Sequence, residues 1–151
     1  MRTKLLILSL SIAVAAWSAD PFVGTWKLDS SKSHYTTGKP PKDQTVTIAE
    51  SGDNQDTTVS ITTADGTAIS YHFTTPAKGG AGTVVQGAGF DAVSAKRINT
   101  NTRETHFMQG GKEVRTVRTT VSKNGKTMTA HVKGKDAQGN PVDGTLVTKK
   151  Q

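Results

Sequence analysis

From Phe22 onward the chain reads as short runs of alternating apolar and polar residues, each closed by a Gly, Asn or Asp turn, and this rhythm constrains the fold most. Side chains on a strand point alternately to its two faces, so each such run buries one face and wets the other. Twenty-four threonines among the valines and isoleucines favour the same state. No stripe of helical period competes with it after residue 20. Phe22, Gly24, Trp26 and Leu28 share one face of a first strand. Val46 and Ile48 mark a second, Val59 and Ile61 a third. Asp65-Gly66 is a favoured two-residue hairpin turn, and Ile69, Tyr71 and Phe73 give the inner face of a fourth. The meander resumes over 90–98, 102–109, 112–122, 126–133 and 141–149, with turns at Gly110-Gly111, Asn124-Gly125 and 136–140.

Strands joined in order by short turns predict an all-β, up-and-down antiparallel sheet of about eight to ten strands. Closure into a barrel removes the two edges that such a sheet otherwise exposes. Little or no helix is expected after the first 18 residues. Between Pro76 and Gly89, five of the chain's fifteen glycines accompany only Val84 and Val85 as large apolar residues, which reads as a loop beside one weak strand or a mobile edge.

The amino terminus has a different character. Arg2 and Lys4 precede an apolar run over 5–16, and small residues stand at Ala16 and Ser18. This is the pattern of a secretory signal peptide over 1–18, too short for a membrane span of about 20 residues. One domain over 19–151, secreted or periplasmic and without stable membrane insertion, is the expectation. Loss of Arg2 and Lys4 lowers the formal charge from +7 to +5. The remaining cations are scattered, with no aromatic interleaving of the kind that stacks bases, so nucleic acid is not an expected partner. The absence of cysteine excludes a lipoprotein anchor, disulfides, a zinc–cysteine site and thiol catalysis.

The segment Phe22-Val23-Gly24-Thr25-Trp26-Lys27-Leu28 resembles the opening strand of lipocalins and fatty-acid-binding proteins, which share a Gly-x-Trp there. The whole chain is similar in pattern to small secreted bacterial lipocalin-like domain proteins, although the motif itself spans only these seven residues. The resemblance implies a calycin-type barrel whose tryptophan closes the bottom and whose lumen takes a small apolar or amphipathic molecule. Two features depart from fatty-acid-binding proteins. Only 16 residues, 29–44, separate the first two strands, and Gly38 and Pro40-Pro41 oppose a helical lid there. The terminal Arg-x-Tyr that holds a carboxylate is missing, since the chain ends Thr145-Leu146-Val147-Thr148-Lys149 before its last two residues. Arg97, Arg115 and Arg118 remain as replacements. Arg118 shares parity with Val114, and Arg115 with Val117 and Val121, so alternation leaves open which faces inward.

Catalytic signatures are lacking. His72 and His131 oppose their apolar neighbours, which places them outside, and His106 shares a face with Glu104 and Met108. Asp53, Asp56, Asp65, Asp136 and Asp143 lie in or near turns, where a carboxylate normally bonds its own backbone. No nucleophile elbow occurs, and the Gly79-Gly80-Ala81-Gly82 cluster lacks the Gly-Lys-Ser/Thr ending of a phosphate loop. The expected protein is therefore a non-enzymatic barrel without cofactor or metal. It would bind a small apolar or amphipathic ligand through Trp26, Tyr71, Phe73, Phe107 and Arg118. Two alternatives stand beside it: an envelope interaction or structural protein with a filled barrel that works through its exterior, and a haem or metal barrel using His106 or His131.

Overall fold

A computed structural model describes residues 19–151; the predicted signal peptide over 1–18 lies outside them. Twelve strands form one antiparallel sheet: β1 Gly24–Leu28, β2 His34–Thr37, β3 Asp43–Ser51, β4 Asn54–Thr62, β5 Ala68–Pro76, β6 Gly79–Ala81, β7 Thr83–Gln86, β8 Ala92–Asn99, β9 Thr102–Gln109, β10 Lys112–Val121, β11 Thr127–Lys135 and β12 Pro141–Lys150. The spatial order is β6-β8-β9-β10-β11-β12-β1-β3-β4-β5-β7, with β2 laid along β12. The sheet curls into a nearly closed barrel. Among the described residues the only helical element is the 3₁₀ turn Ser30–Lys32, and no helix is long and apolar enough to cross a membrane.

The alternation read from the sequence sets the register. Trp26 pairs with Val46, Val46 with Val59 and Val59 with Tyr71, so one inward row runs across β1, β3, β4 and β5. Two apolar clusters result. One joins Phe22, Trp26, Ile48, Phe73, Phe90 and Phe107 with their neighbours, and the smaller holds Val132, Val142 and Leu146 behind Tyr35.

Two strands exceed the expected eight to ten. β2 is a short strap across the stretch where a helical lid is absent; the Tyr35 ring lies so close to Gly144 that a Cβ there would overlap it. The other addition is in the glycine-rich segment, where the expected weak strand is β7 and a second short strand, β6, precedes it; the two stand at opposite ends of the sheet order and form the barrel's seam. β6 pairs with β8 and, one residue later, β7 pairs with β5, so the chain passes from one sheet edge to the other at Gly82. Gly82 N–H donates to the Val93 carbonyl at 2.8 Å. A Cβ on Gly82 would overlap the Thr74 carbonyl oxygen, so the crossing needs glycine.

The lower end, formed by the 51–54, 99–102 and 122–126 turns, is closed by Phe22 and Trp26, both 0% exposed. Trp26 Nε1–H donates to the Phe22 carbonyl at 2.9 Å, which leaves its one polar atom satisfied. The upper end is rimmed by the 63–65 and 136–140 turns and by the strap.

Candidate functional site

Above this floor the lumen is not filled by side chains; it holds a cavity of about 420 Å³. Its walls are mostly apolar, with Val59, Ile61, Val117, Met128, Val132 and Leu146 among them. Tyr71, Phe73 and Phe107, all expected at the site, line it. Trp26 does not: it lies beneath as part of the floor, a structural position where a ligand-lining one was expected.

Arg118, the charged residue expected in the lumen, lies outside. Its side chain is 52% exposed, and Nη1 stands 3.5 Å from Glu104 Oε2 on the outer face. Its neighbour in parity, Arg115, is the one that enters the lumen, 7% exposed. The cause is local. A register shift between Glu113 and Arg115 makes a β-bulge at Val114: Val114 packs inward at the start of β10, and the extra residue switches the inward parity from even to odd positions. From Arg115 on, the inward positions are 115, 117, 119 and 121. Gly134 opposite permits the bulge, because a Cβ there would overlap the Val114 carbonyl.

Arg115 is held by rings and, among the described residues, by no hydrogen bond. Its guanidinium carbon lies 4.5 Å from the centre of Phe107, 5.4 Å from Tyr71 and 5.7 Å from Phe90. Those rings pack edge-to-face, with Phe90 and Phe107 4.8 Å apart and Tyr71 and Phe90 5.4 Å apart. The quadrupole of each ring attracts the cation, worth about 0.5–2 kcal/mol where desolvated. Nε and Nη2 are buried without a hydrogen-bond partner. An enclosed cation lacking a counter-ion is costly, so this arrangement leaves a positive site in an apolar lumen without its complement.

A second cation, absent from the sequence expectation, sits at the floor. Arg103 is 7% exposed and lines the cavity. Nη1 donates to Gln55 Oε1 at 2.5 Å, and the guanidinium carbon lies 4.7 Å from the centre of the Phe22 ring. Burial pushes its pKa down to about 10, partly offset by Asp20, so it remains charged at neutral pH. Arg97 also lies over Phe22, at 4.9 Å, but its Nη1 is paired with Asp20 Oδ2 at 2.8 Å. The sequence carried a signal for Arg103: it shares a face with Thr105 and Phe107.

Tyr35, on the strap, lines the cavity near the mouth, and burial pushes its phenol up to about 12. The histidines decorate the outside. His72 contacts Asp56, and His131 Nδ1 lies 3.0 Å from Thr145 Oγ1. His106 sits between Glu104, at 3.2 Å, and Glu113, at 2.7 Å; its hydrogen bond, with that of Thr116, holds the Glu113 carboxyl below the ordinary range.

No protein-family model and no curated protein matches the chain. Among solved structures it is similar to one described as "REP1-NXSQ fatty acid transporter", at 18% identity and a TM-score of 0.50, covering 85% of this chain and 95% of that one. At that identity the likeness concerns the fold alone, a nearly closed all-β barrel.

Proposed function

We propose that the protein is a non-catalytic carrier of one small amphipathic anion, with the ligand's apolar body in the lumen and its acidic head against Arg115. The observation that carries this reading is the Arg115 guanidinium itself, enclosed by three aromatic rings in an apolar cavity and left without an acceptor. An anionic head group would supply the missing acceptor. Expelling water from the apolar walls would contribute about 25 cal/mol per Å² of apolar area buried. The fatty acid transporter of similar fold supports an apolar ligand. A cavity of about 420 Å³ is at the small end for ligand sites and suits a medium-length chain. The signal-like amino terminus adds an export address to the reading: the carrier would work in the periplasm or outside the cell.

The test is displacement of a fluorescent fatty-acid analogue by dodecanoate. Stoichiometry should be one to one. Arg115→Met should weaken dodecanoate binding by about tenfold or more, the loss of one charge-assisted contact. Phe107→Asp should also weaken binding, and His131→Asp, on the outer face, should not. Equal effects of the inner and outer substitutions would move the ligand to the surface and overturn the proposal.

A further inference from the structure

The lumen has a second polar pole. At the floor, Arg103 Nε, Gln55 Nε2 and Thr57 Oγ1 are buried without hydrogen-bond partners among the described residues, the three residues being 7%, 1% and 2% exposed. Arg103 and Thr57 line the cavity, and Gln55 stands beside them, its carbonyl oxygen already taken by Arg103. Buried polar atoms are almost always satisfied, so three orphans clustered at the floor beside the cavity call for a partner. Each of the three can donate a hydrogen bond, and the two orphans on Arg115 are donors as well. Both poles therefore ask for the same thing, an acceptor-rich and preferably anionic group. Among the described residues the carboxylates that line the cavity, Asp65 and Asp136, are at the rim, where they bond the backbone of their own turns.

The poles are well separated. Arg103 faces Thr119 across the β9–β10 ladder, while Arg115 faces Phe107, four residues along. At about 3.3 Å per residue, the two arginines are rooted about 13 Å apart along the strands. Between them the walls are apolar apart from Thr105 and Thr119. One monoanion satisfies one pole only and leaves the orphaned donors of the other without an acceptor.

We infer that the preferred ligand is an amphiphile acidic at both ends, a medium-chain α,ω-dicarboxylate, with one carboxylate on Arg115 and the other on the Arg103–Gln55–Thr57 corner. This rests on the carrier reading above and narrows its ligand class. Charge at both ends also explains why the site spends two buried cations on a small cavity.

Isothermal titration of the purified protein with dodecanedioate and with dodecanoate tests it. The dicarboxylate should bind about tenfold tighter, the net effect of one further charge-assisted pair. Gln55→Glu places a carboxylate where an oxygen already accepts from Arg103, so it cancels the floor charge while keeping the contact. In that variant the preference should vanish while dodecanoate binding holds. Arg103→Met should act likewise, and Gln55→Glu decides the matter if Arg103→Met does not fold. Equal affinity of the wild type for both ligands, with dodecanoate still dependent on Arg115, overturns the two-pole inference and leaves the carrier reading standing. Failure of both ligands to bind overturns both.

Discussion

The aromatic plug beneath the lumen and the aromatic wall around Arg115 are built from similar parts to opposite effect. In the plug itself Trp26 donates to Phe22, and Arg97, over the Phe22 ring, is paired with Asp20; the orphaned donors of Arg103, Gln55 and Thr57 belong to the lumen corner beside it. In the upper wall, rings of the same kind surround Arg115 and give it no acceptor. Satisfied polar groups within a packed cluster stabilise a fold, whereas an enclosed unsatisfied cation costs stability. The difference separates a part of the barrel that holds it together from a part arranged to receive something.

The floor should therefore give the largest effect. Trp26→Ala removes a fully buried indole and is expected to cost about 3–5 kcal/mol in a denaturant titration. A cost under about 1 kcal/mol would show that the barrel does not depend on its plug. The seam comes next. Gly82→Ala forces a methyl group against the Thr74 carbonyl, and a cost of about 1–3 kcal/mol is expected from such overpacking. A neutral result would mean that the edges need not meet there.

The upper wall should respond with the opposite sign. Desolvating an ion costs several kcal/mol, and the rings return about 0.5–2 kcal/mol, so desolvation wins. Arg115→Met is expected to raise unliganded stability by about 1 kcal/mol while weakening dodecanoate binding, both read from denaturation with and without the ligand. A destabilised Arg115→Met protein would place Arg115 with the floor, as a structural residue, and erase the contrast.

Much of this barrel was legible in the sequence because its strands obey a two-residue period. The inward row Trp26, Val46, Val59 and Tyr71 follows from alternation, but the turn does not have the expected two-residue form: Thr63 faces Thr67 around a three-residue loop, 64–66, and it is this loop that sets Val59 opposite Tyr71. What stayed hidden depended on contacts between distant segments. The seam has no apolar period, since β6 is set by pairing with β8 and Gly82 by the carbonyl it passes. The arginine that enters the lumen depended on a bulge: valines at 114, 117 and 121 mark both faces, and the shift at Val114 reconciles them, turning Arg115 inward and Arg118 out. Arg103 and Gln55 were readable by parity with Phe107 and Val59, but a polar residue on an inward face is easily discounted when nothing in the sequence names its partner.

The smallest expected effect concerns the strap, which decides how far the upper lumen is closed from water. Burial raises the Tyr35 phenol from 10.0 to about 12, with a small further push from Tyr71 and an opposing one from Arg115. Between those values the folded chain keeps a proton that the unfolded chain has released. More protons are then bound to the folded state, so stability falls as pH rises through that window, and the contribution is fully present below about pH 10. Arg103 works the other way, because its depressed pKa makes the folded state lose a proton first and adds stability as pH rises above about 10. Only a difference between variants separates the two. Wild type should lose up to about 1 kcal/mol relative to Tyr35→Phe between about pH 9 and pH 11, and phenolate absorbance should lose its late-titrating component in that variant. A Tyr35 that ionises near 10 in the folded protein would mean that β2 leaves the mouth open to solvent, and the upper wall would then differ from the floor in hydration as well as in charge.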